Sequence, residues 1–121
     1  MNTIGRGIEL FNNGDYFEAH EEWEEEWLNS ADPERKRFIQ GMIMIAAALH
    51  HYKRKELRGT ERLLERGLGL LKGSETAAVD LDKQGLIHDA ERFARALAAR
   101  GEGIPGSEFP RIRSVAAAER M

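Results

Sequence analysis

The residues best equipped for chemistry lie in one segment, Ala19-His20-Glu21-Glu22-Trp23-Glu24-Glu25-Glu26-Trp27. On a helix, His20 and Glu24 stand one turn apart and can share a divalent metal ion, as the i and i+4 ligands of HExxH sites do. Glu21 then stands where such motifs place the general base. The same pair can instead satisfy itself as a hydrogen-bonded couple.

Helix residues follow one another at about 100°, which sorts the segment by direction. With His20 at zero, Tyr16, Trp23 and Trp27 fall within roughly 60° on one side, and Phe17 and Leu28 within roughly 80° on the other. Glu24 lies between, so the wheel places it on the apolar face, where a carboxylate must be paired or protonated. Glu18, Glu22, Glu25 and Glu26 point away and read as a solvated coat, with Glu21 at the border. Tyr16, Trp23 and Trp27 are the candidate lining of a pocket beside the polar groups.

The following helix is joined by a short turn and should run back antiparallel. With the turn centred near residue 30, His20 comes level with about Gln40 and Glu24 with about Arg37. The expected polar cluster is therefore His20, Glu24, Arg37 and Gln40. The same register puts His50 level with Phe11 and Asn12, about 13 Å from His20 at 1.5 Å per residue. This argues against a third ligand there, and His50 and His51 read as a hydrogen-bonded or surface pair. His88 reads as surface.

The elements that must position these groups are helices. Prolines occur only at 33, 105 and 110. Ile4, Ile8 and Phe11 mark a first helix. Asn12-Asn13-Gly14-Asp15 supplies a turn with Asp15 as N-cap, and a second helix runs from about Tyr16 to Leu28. Asp32 and Pro33 start a third, to about Lys55, whose middle is apolar on every side and should be central. A fourth carries Leu57, Leu64, Leu68 and Leu71, with Gly67 and Gly69 suited to close backbone contact. Gly73–Asp80 is a connector. A fifth carries Leu86, Ala90, Phe93 and Leu97 and ends near Gly101. The tail from Gly103 is extended and anchored by Ile104, Phe109 and Ile112.

The expected fold is all-α, a single compact bundle of about five helices with an extended C-terminal tail. The domain covers 1–113, and 114–121 forms a flexible terminus.

Composition sets the outer limits. The chain has 121 residues, a formal net charge of -3 and no cysteine. Disulfides, thiolate zinc sites and a cysteine nucleophile are excluded. The basic runs Arg35-Lys36-Arg37 and Lys53-Arg54-Lys55 are short and lack interleaved aromatics, so no nucleic-acid partner is expected. The apolar run Phe38–Leu49 is too short to span a bilayer, and the first residues lack a secretion-signal pattern. A cytoplasmic protein with no membrane partner is expected.

These residues resemble a prokaryotic family of small helical proteins, domain-of-unknown-function family 309. The likeness runs through Leu10, Phe11, Gly14, Tyr16, Phe17, Ala19, His20, Glu21, Glu24 and Trp27, then Arg37-Phe38-Ile39-Gln40-Gly41 and His50. It continues through Arg58, Gly59, Leu63 and Leu64 to Pro110, Arg111 and Ile112. The resemblance implies a helical fold and a role for the cluster. A label of metal-dependent hydrolase attached to some members implies no defined reaction. A separate likeness of Gly14-Asp15-Tyr16-x-x-Ala19 to tetratricopeptide turns stops at one hairpin, since 34 residues on lies Ala48-Leu49.

Three readings remain open. The cluster is structural or binds a small-molecule ligand. Alternatively, His20 and Glu24 hold a divalent metal in a hydrolase, with Glu21 as base. Alternatively, the acidic hairpin is an interaction module for a protein partner or for self-association as a homodimer.

Overall fold

Asp32 shows how the local sequence fixes an element. Its carboxylate accepts from the Glu34 amide at 3.1 Å, and Pro33 fills the first helical position, where no donor is needed. A computed structural model of the chain describes residues 3–74 and 81–114 and shows five α-helices in succession. They are α1 (Thr3–Asn12), α2 (Tyr16–Asn29), α3 (Pro33–Lys53), α4 (Leu57–Gly73) and α5 (Lys83–Arg100), followed by a short 3-10 turn at Gly106–Glu108. No strand occurs among the described residues. None of their helices is long and apolar enough to cross a membrane.

The turn between α1 and α2 is tight because Gly14 takes φ +89°, a conformation L side chains rarely adopt. Asp15 occupies the N-cap position of α2, yet its carboxylate does not cap the helix. It accepts instead from the Asn13 side-chain amide at 2.8 Å.

α3 is central. It packs on α2 on one side and α4 on the other, and Phe38, Ile39, Met42, Ile45, Ala46, Ala48 and Leu49 are fully buried. Two glycines let α4 close on it. A Cβ at Gly67 would stand 3.1 Å from the Gly41 carbonyl oxygen, and one at Gly41 would stand 2.9 Å from the Leu71 side chain. Gly69 faces open space and takes no part in this approach.

After α5 the chain turns back through Gly101 and is held by side chains rather than by a ladder. The Tyr52 hydroxyl donates to the Gly101 carbonyl at 3.1 Å and accepts from the buried Ile104 amide at 2.9 Å. The Tyr52, Phe93 and Phe109 rings meet edge to face, and Ile104 and Ile112 are buried beside them. Tyr52→Phe keeps the ring and strands the Ile104 amide, so it should cost about 1–3 kcal/mol. Urea denaturation checks this, and coincident midpoints for the two proteins would contradict it. Of the terminus expected at 114–121, all but Ser114 lies outside the described residues, as do residues 75–80 of the expected connector.

Candidate functional site

α2 buries a narrow arc. Tyr16, Ala19 and Trp23 are buried against α1 and α3, and Trp27 is half-buried. Trp23 is fully enclosed, packs tilted against Phe11 at 5.7 Å and donates its indole N–H to the Ile4 carbonyl at 3.2 Å. It is core and lines no pocket. Trp27 takes the Lys36 ammonium over its ring at 4.4 Å. Its indole nitrogen and the Ser30 hydroxyl are buried without a hydrogen-bond partner among the described residues.

Glu24 lies outside that arc. Its side chain is 51% exposed, where the wheel had placed it among apolar groups. The helix seals only the arc that meets α1 and α3, and the Phe17–Glu24–Leu28 edge lies at its margin, where Phe17 touches α3 through the His50 ring. Phe17 and Leu28 are accordingly 46% and 69% exposed, and they are the large hydrophobics left open among the described residues.

His20 sits at the boundary. Its Nε2 lies 3.2 Å from Glu24 Oε2, while its Nδ1 is buried without a hydrogen-bond partner among the described residues. The Phe17 ring lies 6.0 Å from the His20 ring and 5.4 Å from that of His50. His50 therefore reaches further up α2 than the level of Phe11 and Asn12. Helical side chains lean toward their own N-terminus, so in an antiparallel pair facing side chains lean toward each other.

The four-residue cluster does not assemble. Arg37 donates to Glu34 at 2.9 Å and to the Gly73 carbonyl at 3.5 Å, on the α4 side of α3. Near the turn it is Glu26 that meets α3, through Arg35 at 2.7 Å. Gln40 is half-buried on α3, and Glu21 is exposed. Glu22 pairs with Arg6 at 3.3 Å. His51 pairs at 3.0 Å with Glu56, which also meets Arg54, and His88 is exposed on α5.

The donor set does not fit a catalytic metal. Such an ion takes three protein ligands and an open position. His20 and Glu24 supply two, and no group of three or more His, Asp or Glu side chains suited to an ion occurs among the described residues. No chemical step through a metal is derived for this chain.

What the residues do form is a ridge. Phe17, Glu21, Glu24 and Leu28 fall within about 60° of one another along α2. The pattern apolar, acidic, acidic, apolar at spacings of four, three and four is the sequence signal of this ridge. The wheel contained it, but assigned its edges to the core.

A family model described as a domain of unknown function (DUF309) matches residues 4–63, from α1 into the start of α4. That segment contains the ridge and His20, and excludes the tail residues Pro110, Arg111 and Ile112. A curated bacterial relative, the uncharacterized protein YpuF of Bacillus subtilis (strain 168), is 37% identical over 81 residues. The alignment covers 67% of this chain and 45% of that protein, so the chain spans less than half of its relative's length. No solved structure matches. With the motif and the helical fold in place, the chain belongs to the domain-of-unknown-function family DUF309.

Proposed function

We propose that the chain is a helical interaction module that presents the α2 ridge to a protein segment carrying positive charge and apolar side chains. The observation that carries this is the exposure of Phe17 and Leu28, 46% and 69%, at the two ends of one acidic line. The two are separated by about 16 Å of helix and bracket the acidic line, a spacing that suits two anchor points for one helical segment. The six glutamates of α2 set the sign of the partner, and Glu18, Glu21 and Glu25 have no ion-pair partner among the described residues. Such a surface steers and selects a cationic segment.

The His20–Glu24 couple is too weak to be a determinant of the fold. Partly exposed i,i+4 pairs are worth about 0.3–0.5 kcal/mol. On the ridge it serves instead as a polar mark between two apolar anchors.

The test is fluorescence anisotropy with a labelled amphipathic Leu/Lys helical peptide. Binding should weaken at least tenfold between about 50 and 300 mM salt, as the Debye length shortens. It should weaken by a similar factor in Phe17→Ser/Leu28→Ser, whose melting temperature stays near wild type. Binding that ignores both salt and the double substitution overturns the reading. A ridge-dependent dimer in sedimentation also overturns it, because a second copy would then fill the surface.

A further inference from the structure

A second feature lies where the α1–α2 turn, the end of α3 and the tail meet, and the ridge does not use it. A cavity of about 330 Å³ opens there, lined by Asn13, Gly14, Tyr16, Lys53, Phe109 and Arg111 among others. The volume is within the range of small-molecule sites.

Its charge runs against that of the chain. In a protein of net charge -3, the two ionised side chains in this wall are both cations, and no carboxylate lines it. Both are held by backbone, which leaves their charge unneutralised. Lys53 donates to the Gly14 carbonyl at 3.0 Å, and Arg111 donates to the Asn12 carbonyl at 3.2 Å. Neither has an ion-pair partner among the described residues.

Tyr16 lies in the same wall and is only 5% exposed. Burial pushes its pKa up to about 12 against the opposing pull of Arg111, so it stays a neutral donor at physiological pH. Part of the wall is flat and aromatic, with the Tyr16 and Phe109 rings stacked at 6.3 Å, and Asn12 and Asn13 add neutral polar groups.

We propose that this cavity binds a small organic anion, its carboxylate or phosphate held by Lys53 and Arg111 and its planar apolar body set against Tyr16 and Phe109. Both cations can donate to anionic oxygens, Arg111 as a planar fork. The aromatic wall sets the preference for an organic anion over a free inorganic one.

Amide chemical-shift titration of the full chain with benzoate, adenosine monophosphate and inorganic phosphate tests this and separates the two headgroups. Saturable shifts at Gly14, Lys53, Gly106 and Arg111 are expected with benzoate or the nucleotide, at lower concentration than with inorganic phosphate. Lys53→Gln and Arg111→Gln should each weaken that binding about tenfold, while Arg92→Gln on the outside of α5 leaves it unchanged. Because Arg111 also ties the tail to Asn12, a variant that keeps both cations is needed. A Cβ at Gly106 meets nothing within 4 Å, so Gly106→Leu can fill the mouth of the cavity while the fold is kept. It should abolish binding with the melting temperature unchanged. The assignment is overturned by absence of saturable shifts with both organic probes, by inorganic phosphate binding as tightly as they do, or by equal weakening in Arg92→Gln.

Discussion

Gly7→Ala is expected to be among the most damaging single-methyl substitutions in this protein. Gly7 is buried in α1 where the helix crosses Trp23, and a Cβ there would clash with the indole at Nε1. The ring cannot step aside. It is fully enclosed, packed on Phe11 and bonded to the Ile4 carbonyl from α1 itself. α1 must therefore move off α2, and the hydrogen bond and the packing go together. Overpacking of this kind costs about 1–3 kcal/mol and sometimes more, against a gain near 1 kcal/mol for alanine over glycine in a helix. A net loss of up to about 2 kcal/mol is expected, a sizeable share of the ~5–15 kcal/mol typical of a domain. Gly69→Ala is the matched control, since Gly69 lies in α4 with open space at its Cβ. It should stabilise by up to about 1 kcal/mol. Paired urea titrations decide the point, and a Gly7→Ala protein as stable as wild type would show that Trp23 is not fixed as described.

The helices were legible because each is written locally. Pro33 after Asp32, the glycine turn at Gly14 and the apolar middle of α3 set boundaries within a few residues, and α2 and α3 begin at Tyr16 and Pro33 as expected. What was not legible depended on how far round a helix its neighbours reach. The wheel gives the azimuth of Glu24 but not the width of the buried arc, and the arc stops short of it. Arg37 was misplaced for a related reason. A register read from the turn alone ignores which side of α3 the side chain leaves from, and Arg37 leaves toward Glu34 and Gly73. The cationic cavity had no sequence signal at all. Tyr16, Lys53 and Arg111 come from three distant stretches, and they meet only because the tail crosses back over the α1–α2 turn.

That crossing depends on Asn12, and its replacement is expected to release the tail. The Asn12 side chain donates to the Ile112 carbonyl and accepts from the Ile112 amide, both at 2.8 Å. One amide side chain thus satisfies both backbone groups of a residue that is 3% exposed. The sequence shows Asn12 only as part of a turn, because the bond spans almost the whole chain. In Asn12→Ala both groups of Ile112 lose their partner, and each orphaned backbone group costs about 1–3 kcal/mol. Water can recover part of this only if Ile112 leaves the core, which gives up its own burial. A loss of about 2–4 kcal/mol follows on either route. The two effects separate by hydrogen exchange. The Ile112 amide should lose most of its protection in Asn12→Ala, while amides in the middle of α3 change only by the global loss of stability. Because Arg111 and Phe109 ride on the same segment, the cavity beside Tyr16 should open in the same variant. If the Ile112 amide stays as protected as in wild type, the tail is held by its apolar anchors alone and the Asn12 clamp contributes nothing to its position.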